Sequence, residues 1–382
     1  MYVALDARYL DTKKGSTYSN GGIALYTKKL IDNLLIVSPT IELLLIVPPG
    51  RVSPLSEDKR VREVVFDAPA QSFRSFLFLS RLIRKFNVDL FHSPSNVLPL
   101  GMKCKTVTTI HDLMWIDMPE LCSDSVLTRL TTGSYYKLAI LNALKNSDQI
   151  LTVSNTAKNS IQSHLATAEG KVTTTYNAVD PFYKTLDAEQ SSMQSGDFMS
   201  EGESFVLMVG QGSPYKNHIR GIRAFLKAFA DKKDWKLVLI RRFIRTSSEM
   251  AKLLDLPEVK DRVILLQNVD QERLRALYNQ ASVLLFPSLY EGFGLPIIEA
   301  MACGCPVITS NIGAPREISG NAAVLVDPNS IESIAKGLTD IAHSNGLREK
   351  KIRQGFERIQ DFSWLVTAEK TLDVYEKVCS QA

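Results

Sequence analysis

Short apolar runs alternate with longer stretches of helical periodicity along most of the chain. In the first half the apolar runs occupy residues 3–5, 42–47, 64–66, 89–92, 106–110 and 149–153. Amphipathic stretches at 24–35 and 74–86 lie between them. Strands that alternate with helices predict a parallel sheet covered on both faces.

A polar stretch interrupts this alternation, which then restarts. Residues 187–202 have no periodic apolar pattern, and we predict a surface loop there. Beyond it, apolar runs at 205–209, 236–240, 263–266, 283–286, 306–309 and 323–326 alternate with helical patterns at 221–229, 272–279 and 296–301. The sequence therefore predicts a second α/β unit, with the boundary near 170–185 and domains at 1–170 and 171–382. We expect two Rossmann-like, doubly wound parallel sheets facing across a cleft, with ligands beyond the C-terminal ends of the strands.

Composition and charge exclude several classes of protein. The chain has 382 residues, of which 45% are hydrophobic and 23% charged, as in a globular protein of two domains. Its net charge of +4 is weak for this length and argues against nucleic acid as a partner. The five cysteines are odd in number and include no Cys-x-x-Cys pair, which argues against a disulfide framework or a zinc ribbon and fits a reducing cytosol.

The N-terminus and the apolar runs bear on localisation. No basic segment followed by an apolar stretch and a cleavage site opens the sequence, so we expect no secretory signal. The longest apolar runs are far shorter than the roughly 20 residues that a membrane span needs. We expect a cytoplasmic protein whose membrane contact is at most peripheral, at the inner face.

The segment from Phe286 to Ala302 carries the clearest candidate chemistry. A strand ends at Phe286, a glycine-rich loop follows, and Pro296 lies in the first turn of a helix, where its missing N–H costs nothing. The amides of residues 293–295 (Phe293, Gly294 and Leu295) would lie at the helix start and attract a phosphate. Glu291 and Glu299 add carboxylates that can accept hydrogen bonds from hydroxyls. These residues suit a ligand with sugar, diphosphate and ribose in a row, or form an ordinary strand–turn–helix with surface glutamates.

This segment, with Ala302-Cys-Gly-Cys-Pro-Val-Ile-Thr309 after it, resembles the donor site of the retaining family-four glycosyltransferases of GT-B architecture. The resemblance implies that Glu291 contacts the donor sugar and Glu299 the ribose. Other segments also match: the diphosphate loop ending at Lys216-Asn217, Ile110-His111-Asp112-Leu113, and Asn20-Gly21-Gly22-Ile-Ala-Leu-Tyr26. They imply that Lys216 and the Gly21–Gly22 backbone contact the phosphates and that His111 reaches the sugar. Phe362-Ser-Trp-Leu resembles the start of a closing helix, which would pack residues 362–382 back toward the N-terminal domain.

Each of these residues also has an alternative interpretation. His111 ends an apolar strand and could be a structural histidine with satisfied hydrogen bonds. Lys216 could be a solvated surface lysine, and Gly21 and Gly22 could simply form a turn. We assign His111 and Glu291 to catalysis because the motifs occur together in the family's order.

Two positions depart from the family pattern. Many relatives carry an arginine after the glycine of the second domain's first strand or before the loop lysine, where this chain has Gln211 and Tyr215. Arg241 and Arg242 follow the next strand, and we predict that one of them supplies the missing charge to the diphosphate. The chain also has no Asp-x-Asp triplet for a metal, so we expect activity without a metal or other cofactor, with charge neutralised by lysine and helix amides.

A basic helix bears on the acceptor. Residues 71–86 contain Arg74, Arg81, Arg84 and Lys85 and no acidic residue. A basic face that also bears an aromatic residue suits anionic lipid or a lipid diphosphate. The alternative is a sheet-covering helix with a solvated face.

The N-terminal pattern Leu5-Asp-Ala-Arg8, with Phe91-His-Ser-Pro94, is most similar to bacterial mannosyltransferases of polysaccharide and O-antigen assembly. This implies GDP-mannose as donor and a polyprenyl-diphosphate-linked glycan as acceptor. UDP-glucose, UDP-N-acetylglucosamine and dTDP-deoxysugars are alternative donors. A pyridoxal-phosphate-dependent sugar phosphorylase and a non-catalytic glycan- or nucleotide-binding module are the competing classes.

Overall fold

The chain forms two parallel α/β sheets. The computed structural model describes residues 1–10, 21–50, 54–165, 170–195, 199, 202–242, 247–267 and 269–380, with the backbone alone for 192–195 and 242. Contacts divide the chain into two compact units. The first unit comprises Met1–Pro119, Leu127–Asn177 and Ser363–Ala382, and the second comprises Glu120–Val126 and Ala178–Phe362.

Seven parallel strands form the sheet of the first unit, in the order β3-β2-β1-β4-β5-β6-β7. They are β1 (Tyr2–Asp6), β2 (Glu42–Val47), β3 (Val61–Val65), β4 (Leu90–Ser93), β5 (Lys105–Ile110), β6 (Gln149–Thr152) and β7 (Val172–Thr174). The central strands are buried almost throughout, as expected when helices cover both faces. The edge strand β3 instead exposes Arg62 and Glu63, charges that discourage pairing with another chain.

Helices accompany these strands along the chain, and the first two bury the apolar faces predicted at 24–35 and 74–86, whereas the two short helices at 114–122 bury no residue and residues 120–122 belong to the second unit. The helices are α1 (Gly22–Val37), α2 (Phe73–Ile83), α3 (Met114–Asp117), α4 (Pro119–Cys122), α5 (Val126–Asn146) and α6 (Asn155–Ser163). Ser72 caps α2 and Ser154 caps α6, each by accepting a hydrogen bond from a first-turn amide. In α2 the buried side chains include Phe76, Leu79 and Ile83, so the predicted apolar face of this helix is confirmed.

The second sheet has six parallel strands in the order β10-β9-β8-β11-β12-β13. The strands are β8 (Ser204–Gln211), β9 (Trp235–Arg242), β10 (Val263–Leu266), β11 (Val283–Phe286), β12 (Val307–Ser310) and β13 (Ala323–Val326). Its helices are α7 (Ala188–Ser195), α8 (His218–Ala228), α9 (Ser248–Asp255), α10 (Pro257–Lys260), α11 (Gln271–Gln280), α12 (Leu295–Ala302), α13 (Gly313–Ser319), α14 (Ile331–His343) and α15 (Asn345–Arg358). In both sheets the order of the strands changes direction next to the first strand of that sheet, as it does in doubly wound folds. The predicted fold class is therefore confirmed.

The predicted loop at 187–202 is wrong over its first half, where α7 forms. Asp187 caps this helix by accepting a hydrogen bond from the amide of Gln190 at 2.7 Å. The helix packs against α11, and the buried Ser191 hydroxyl donates to the carbonyl of Ala276 at 3.3 Å. This segment contains good helix formers, namely alanine, glutamate, glutamine and methionine, so the prediction failed because it relied on the missing apolar periodicity. Residues 196–198, 200 and 201 lie outside the described part of the chain.

The last helix, α16 (Trp364–Ser380), belongs to the first unit although it follows the second in the chain. It packs against α1 and buries Trp364, Thr371 and Tyr375. Across the described residues no helix is long and apolar enough to cross a membrane.

Candidate functional site

The loop after β8 is fixed at the C-terminal edge of the second sheet. A 3-10 turn at Pro214–Lys216 leads to Asn217, whose φ of 58° is left-handed and which precedes α8. The side-chain nitrogen Nδ2 of Asn217 donates to the carbonyl of Pro287 at 3.0 Å and to that of Pro328 at 2.7 Å. One asparagine thus ties together the loops that follow three strands of this sheet.

Lys216 and Glu291 meet at this edge. The Lys216 ammonium lies 2.6 Å from a Glu291 carboxylate oxygen, and the two side chains are only 10% and 12% exposed. The same ammonium lies over the rings of Phe286 at 4.7 Å and Tyr215 at 5.0 Å. The structure therefore brings together two of the residues that the sequence selects. It places a cation next to an acceptor for hydroxyl groups.

Beyond Glu291, the chain turns into α12 as the sequence predicts. Gly294 has φ 103°, a left-handed value that glycine adopts without strain, and a Cβ there would lie 3.0 Å from Ile297. Pro296 occupies the first turn, and the buried Phe293 ring packs edge-on against Phe362 at 5.6 Å. The amides of residues 293–295 lie at the start of α12, where the first N–H groups have no intrahelical acceptor.

Glu299 is not a surface charge. Its side chain is buried in α12, and burial raises the pKa of its carboxyl to about 7. The hydroxyl of Tyr278 on α11 donates to Glu299 Oε2 at 3.0 Å, which opposes that rise. Tyr278 was missed in the sequence, although a tyrosine on the buried face of a helix must find a partner for its hydroxyl.

The strand register brings Arg241 to the loop that follows β8. Arg241 pairs with Gly210 in the β8–β9 ladder, and its guanidinium donates to the carbonyl of Gly212 at 3.1 Å. A Cβ at Gly212 would lie 2.6 Å from the guanidinium, so a glycine there makes room for it. Burial lowers the pKa of Arg241, and Asp124 opposes this effect. Gln211 is exposed and pairs with Arg242, whose side chain lies outside the described part of the chain.

His218 is a further basic residue in this place, and sequence reasoning missed it. It opens α8, is buried, and its Nε2 would lie 3.2 Å from a Cβ built on Gly210. Burial lowers the pKa of His218 to about 3, and the charges of Arg241 and Lys216 lower it further in the same direction. The imidazole is therefore neutral beside two cations.

In the first unit, His111 follows β5 with both its backbone and its ring fixed. Its amide donates to the Asn96 side-chain oxygen at 2.8 Å, and its ring Nε2 lies 2.8 Å from the carbonyl oxygen of Pro94. Because a carbonyl can only accept, Nε2 carries the proton and Nδ1 presents a lone pair. Burial lowers the pKa of His111 to about 4, so the ring is a neutral acceptor for a hydroxyl.

Gly21 and Gly22 begin α1 in the same unit. Gly21 is the N-cap with extended backbone, and Gly22 is the first helical residue. One turn further on, the Tyr26 ring packs edge-on against the His111 ring at 5.0 Å. Asn20, the first residue of this motif, lies outside the described residues.

Within the described ranges, no group of three or more histidine, cysteine, aspartate or glutamate side chains could hold a metal ion.

The chain matches two sequence families. Residues 21–182 match Glycosyltransferase Family 4, and residues 194–358 match the glycosyl transferases group 1. The O-antigen chain mannosyltransferase RfbU of Salmonella typhimurium is 30% identical over 300 residues, which cover 77% of this chain and 75% of that protein. The chain belongs to the group 1 glycosyltransferases.

Other proteins are similar to this chain in sequence or in fold. The O-antigen chain mannosyltransferase B of Escherichia coli is 26% identical to this glycosyltransferase over 296 residues, or 77% of this chain and 76% of that one. The crystal structure of WaaG, a glycosyltransferase involved in lipopolysaccharide biosynthesis, superposes with a TM-score of 0.72 at 15% identity, covering 98% and 99% of the two chains. The predicted family and its GT-B fold are therefore confirmed.

Proposed function

We propose that this glycosyltransferase transfers mannose from GDP-mannose, with retention at the anomeric carbon, to a hydroxyl of a polyprenyl-diphosphate-linked glycan in cell-surface polysaccharide synthesis. The observation that carries the proposal is the buried Lys216–Glu291 pair beside the start of α12, with Glu299 one turn into that helix. A cation, free amides and two carboxylates in this order suit a nucleoside diphosphate sugar. The two O-antigen relatives named mannosyltransferases support the choice of sugar.

Bond breaking places negative charge on the leaving diphosphate. Lys216, Arg241 and the amides of residues 293–295 would stabilise that charge, and fixed electrostatics of this kind is often the largest catalytic term. Glu291 would accept from a hydroxyl of the sugar and Glu299 from the ribose. In the first unit, His111 would orient the sugar through Nδ1 and the Gly21–Gly22 backbone would approach the phosphates. The Lys216 ammonium, the Arg241 guanidinium and the helix amides would together stabilise the charge of the diphosphate, so we propose turnover without a divalent cation.

A thermal-shift panel of GDP, UDP and dTDP tests the donor. A ligand that binds only the folded state stabilises it by mass action, by about 2.7 kcal/mol at 100 times its Kd. GDP should raise the melting temperature most, with EDTA present throughout. The Lys216→Gln variant should lose this shift. A larger shift with UDP or dTDP would assign a different nucleotide, and no shift with any would contradict a nucleotide-sugar donor.

Arg241 should supply the positive charge that this chain lacks at Gln211 and Tyr215, where many relatives carry arginine. The Arg241→Ala variant should raise the donor KM by about 10- to 100-fold, because a hydrogen bond to a charged group contributes about 1.5–3 kcal/mol. The neighbouring Arg242→Ala variant serves as the comparison. Michaelis constants for the donor measure both, and unchanged values for both variants would refute the assignment.

We further propose that α2 holds the enzyme on an anionic membrane at the cytoplasmic face. The outer face of α2 exposes Phe73, Leu77 and Phe78, and Arg81 lies over the Phe78 ring at 4.8 Å. The neighbouring α5 has no acidic residue and exposes Leu127, Leu130, Leu138 and Leu141. The rings of Phe73 and Tyr135 join the two helices at 4.8 Å. Apolar side chains among basic ones favour the interface of an anionic bilayer.

Flotation with phosphatidylglycerol-containing vesicles tests this contact. Reversing Arg81 and Lys85 to glutamate should weaken binding by at least about 30-fold, since each basic residue near such a surface contributes about 1 kcal/mol. Reversing Lys350 and Arg353 on α15 changes the net charge equally and should leave binding intact. Equal loss in both variants, or binding to neutral phosphatidylcholine alone, would leave α2 a sheet-covering helix with a solvated face.

A further inference from the structure

Four polar side chains form a chain of hydrogen bonds inside the first unit. Tyr26, His92, Thr109 and Tyr375 are each fully buried. His92 Nε2 lies 2.8 Å from the Thr109 hydroxyl, which lies 2.8 Å from the Tyr26 hydroxyl. His92 Nδ1 contacts the Tyr375 hydroxyl on its other side. The chain thus runs from α16 through β4 and β5 to α1.

The positions of the protons on His92 and Tyr375 in this network can be assigned. Burial lowers the pKa of His92 to about 3, so the imidazole is neutral with one N–H. A buried phenol must donate its proton, and His92 Nδ1 is the acceptor that faces Tyr375. Nε2 then carries the ring proton and donates to Thr109. The two hydrogen bonds of His92 therefore each have a defined direction, and they fix the rotation of its ring.

One end of this network, Tyr26, contacts His111, and the inner members Thr109 and His92 lie near His111 and its partner in the sequence. The Tyr26 ring packs edge-on against the His111 ring at 5.0 Å, and its other neighbour is Trp364 at 6.2 Å. Thr109 lies two residues before His111 on β5. His92 lies two residues before Pro94, whose carbonyl accepts the proton of His111 Nε2. The network therefore supports the ring contact and the hydrogen bond that orient His111.

Filling the core does not require polar side chains at these four positions. Burying hydroxyl and imidazole groups costs free energy unless all are hydrogen-bonded, and an apolar core of similar volume would avoid that cost. What a polar network adds is a defined geometry. Here that geometry is delivered to the His111 ring, for which a role in orienting the sugar is proposed.

We propose that Tyr375, His92, Thr109 and Tyr26 are positioning residues that hold His111 with Nδ1 toward the donor sugar. This inference rests on the role proposed for His111. It makes the C-terminal helix part of the sugar site, because Tyr375 of α16 is the far end of the network.

A double-mutant cycle with His111→Ala tests the proposal. Tyr375→Phe and Thr109→Val should each lower kcat by about tenfold, since a small misplacement of an orienting group costs turnover. Thr109→Ser retains the hydroxyl and should restore kcat. In the His111→Ala background, Tyr375→Phe and Thr109→Val should change kcat by less than about twofold, because the group they position is gone.

Thr108→Val is the matched control for the strand. Thr108 is the adjacent, equally buried threonine of β5, and its hydroxyl pairs with Ser147 at 2.7 Å. Its replacement should leave kcat unchanged. The same loss for Tyr375→Phe in both backgrounds, or no loss in the wild-type background, would overturn the inference and leave the network a structural core. Full turnover of His111→Ala by itself would instead overturn the role proposed for His111.

Discussion

Replacing Lys216 by glutamine should lower kcat by about 100- to 1000-fold, the loss seen when one preorganised donor to a developing negative charge is removed. The lysine is buried at the end of the β8 loop, so its charge acts where water screens it little. The Glu291 carboxylate beside it holds the ammonium in place at 2.6 Å. The loss should fall mainly on kcat, because charge on the diphosphate grows as the glycosidic bond breaks.

Lys227 provides the matched control for this experiment. It lies on α8, eleven residues later, and also pairs with a glutamate, Glu332, at 2.7 Å, but both side chains are more than half exposed. An exposed pair of this kind contributes at most about 1 kcal/mol to stability. Lys227→Gln should therefore leave kcat unchanged. If Lys216→Gln retains full turnover while folding normally, the donor site is not at this edge of the second sheet.

Features encoded by contiguous sequence were predictable. The α12 segment carries its own turn glycine, its first-turn proline and both glutamates, so strand, loop and helix follow from local chemistry. The parallel sheets follow from apolar runs that are too short for helices and too continuous for strands with one exposed face. The position of Arg241 beside Gly212 was only partly predictable, because it depends on which strand pairs with β8 and in which register.

Features that depend on tertiary contacts were not predictable. Tyr278 matters because α11 brings its hydroxyl to Glu299, 21 residues away in the chain, and nothing in the local pattern marks that meeting. Burial lowers the pKa of His218 most, and the charge of Arg241 on β9 lowers it further, so its neutral state depends on tertiary surroundings. The helix α7 forms from polar residues because α11 offers it a surface. In each case the partner is distant in sequence, and a single sequence contains no record of that proximity.

Donor binding should weaken as the pH falls through 7, because the role proposed for Glu299 is to accept hydroxyl groups as a carboxylate. Burial raises the pKa of Glu299 to about 7, so this side chain is mostly protonated at pH 6 and mostly ionised at pH 8. A protonated carboxyl has lost part of its acceptor capacity. The donor KM should therefore be about tenfold higher at pH 6 than at pH 8, and the kcat/KM profile should show an acid limb near 7.

Two variants separate Glu299 from other groups that titrate in this range. Tyr278→Phe removes a hydrogen bond that favours the carboxylate, so the acid limb should move to higher pH. Glu299→Gln should abolish the limb and raise the donor KM at pH 8. An acid limb that stays near 7 in both variants would assign the titration to another group.

At pH 8, where the ionised Glu299 should support donor binding, the same charge should destabilise the folded state. Its pKa is raised from 4.5 in the unfolded chain to about 7 in the folded one, so the folded state binds the proton more tightly. The resulting stability is present below pH 4.5 and is lost as the pH rises to 7. By this reasoning Glu299→Gln should unfold at a higher temperature than the wild type at pH 8, with a gain of about 1–3 kcal/mol. A variant that binds the donor worse and folds better would show that the buried charge is kept for the ligand and not for the core. A lower melting temperature for Glu299→Gln at pH 8 would show instead that the carboxylate stabilises the fold.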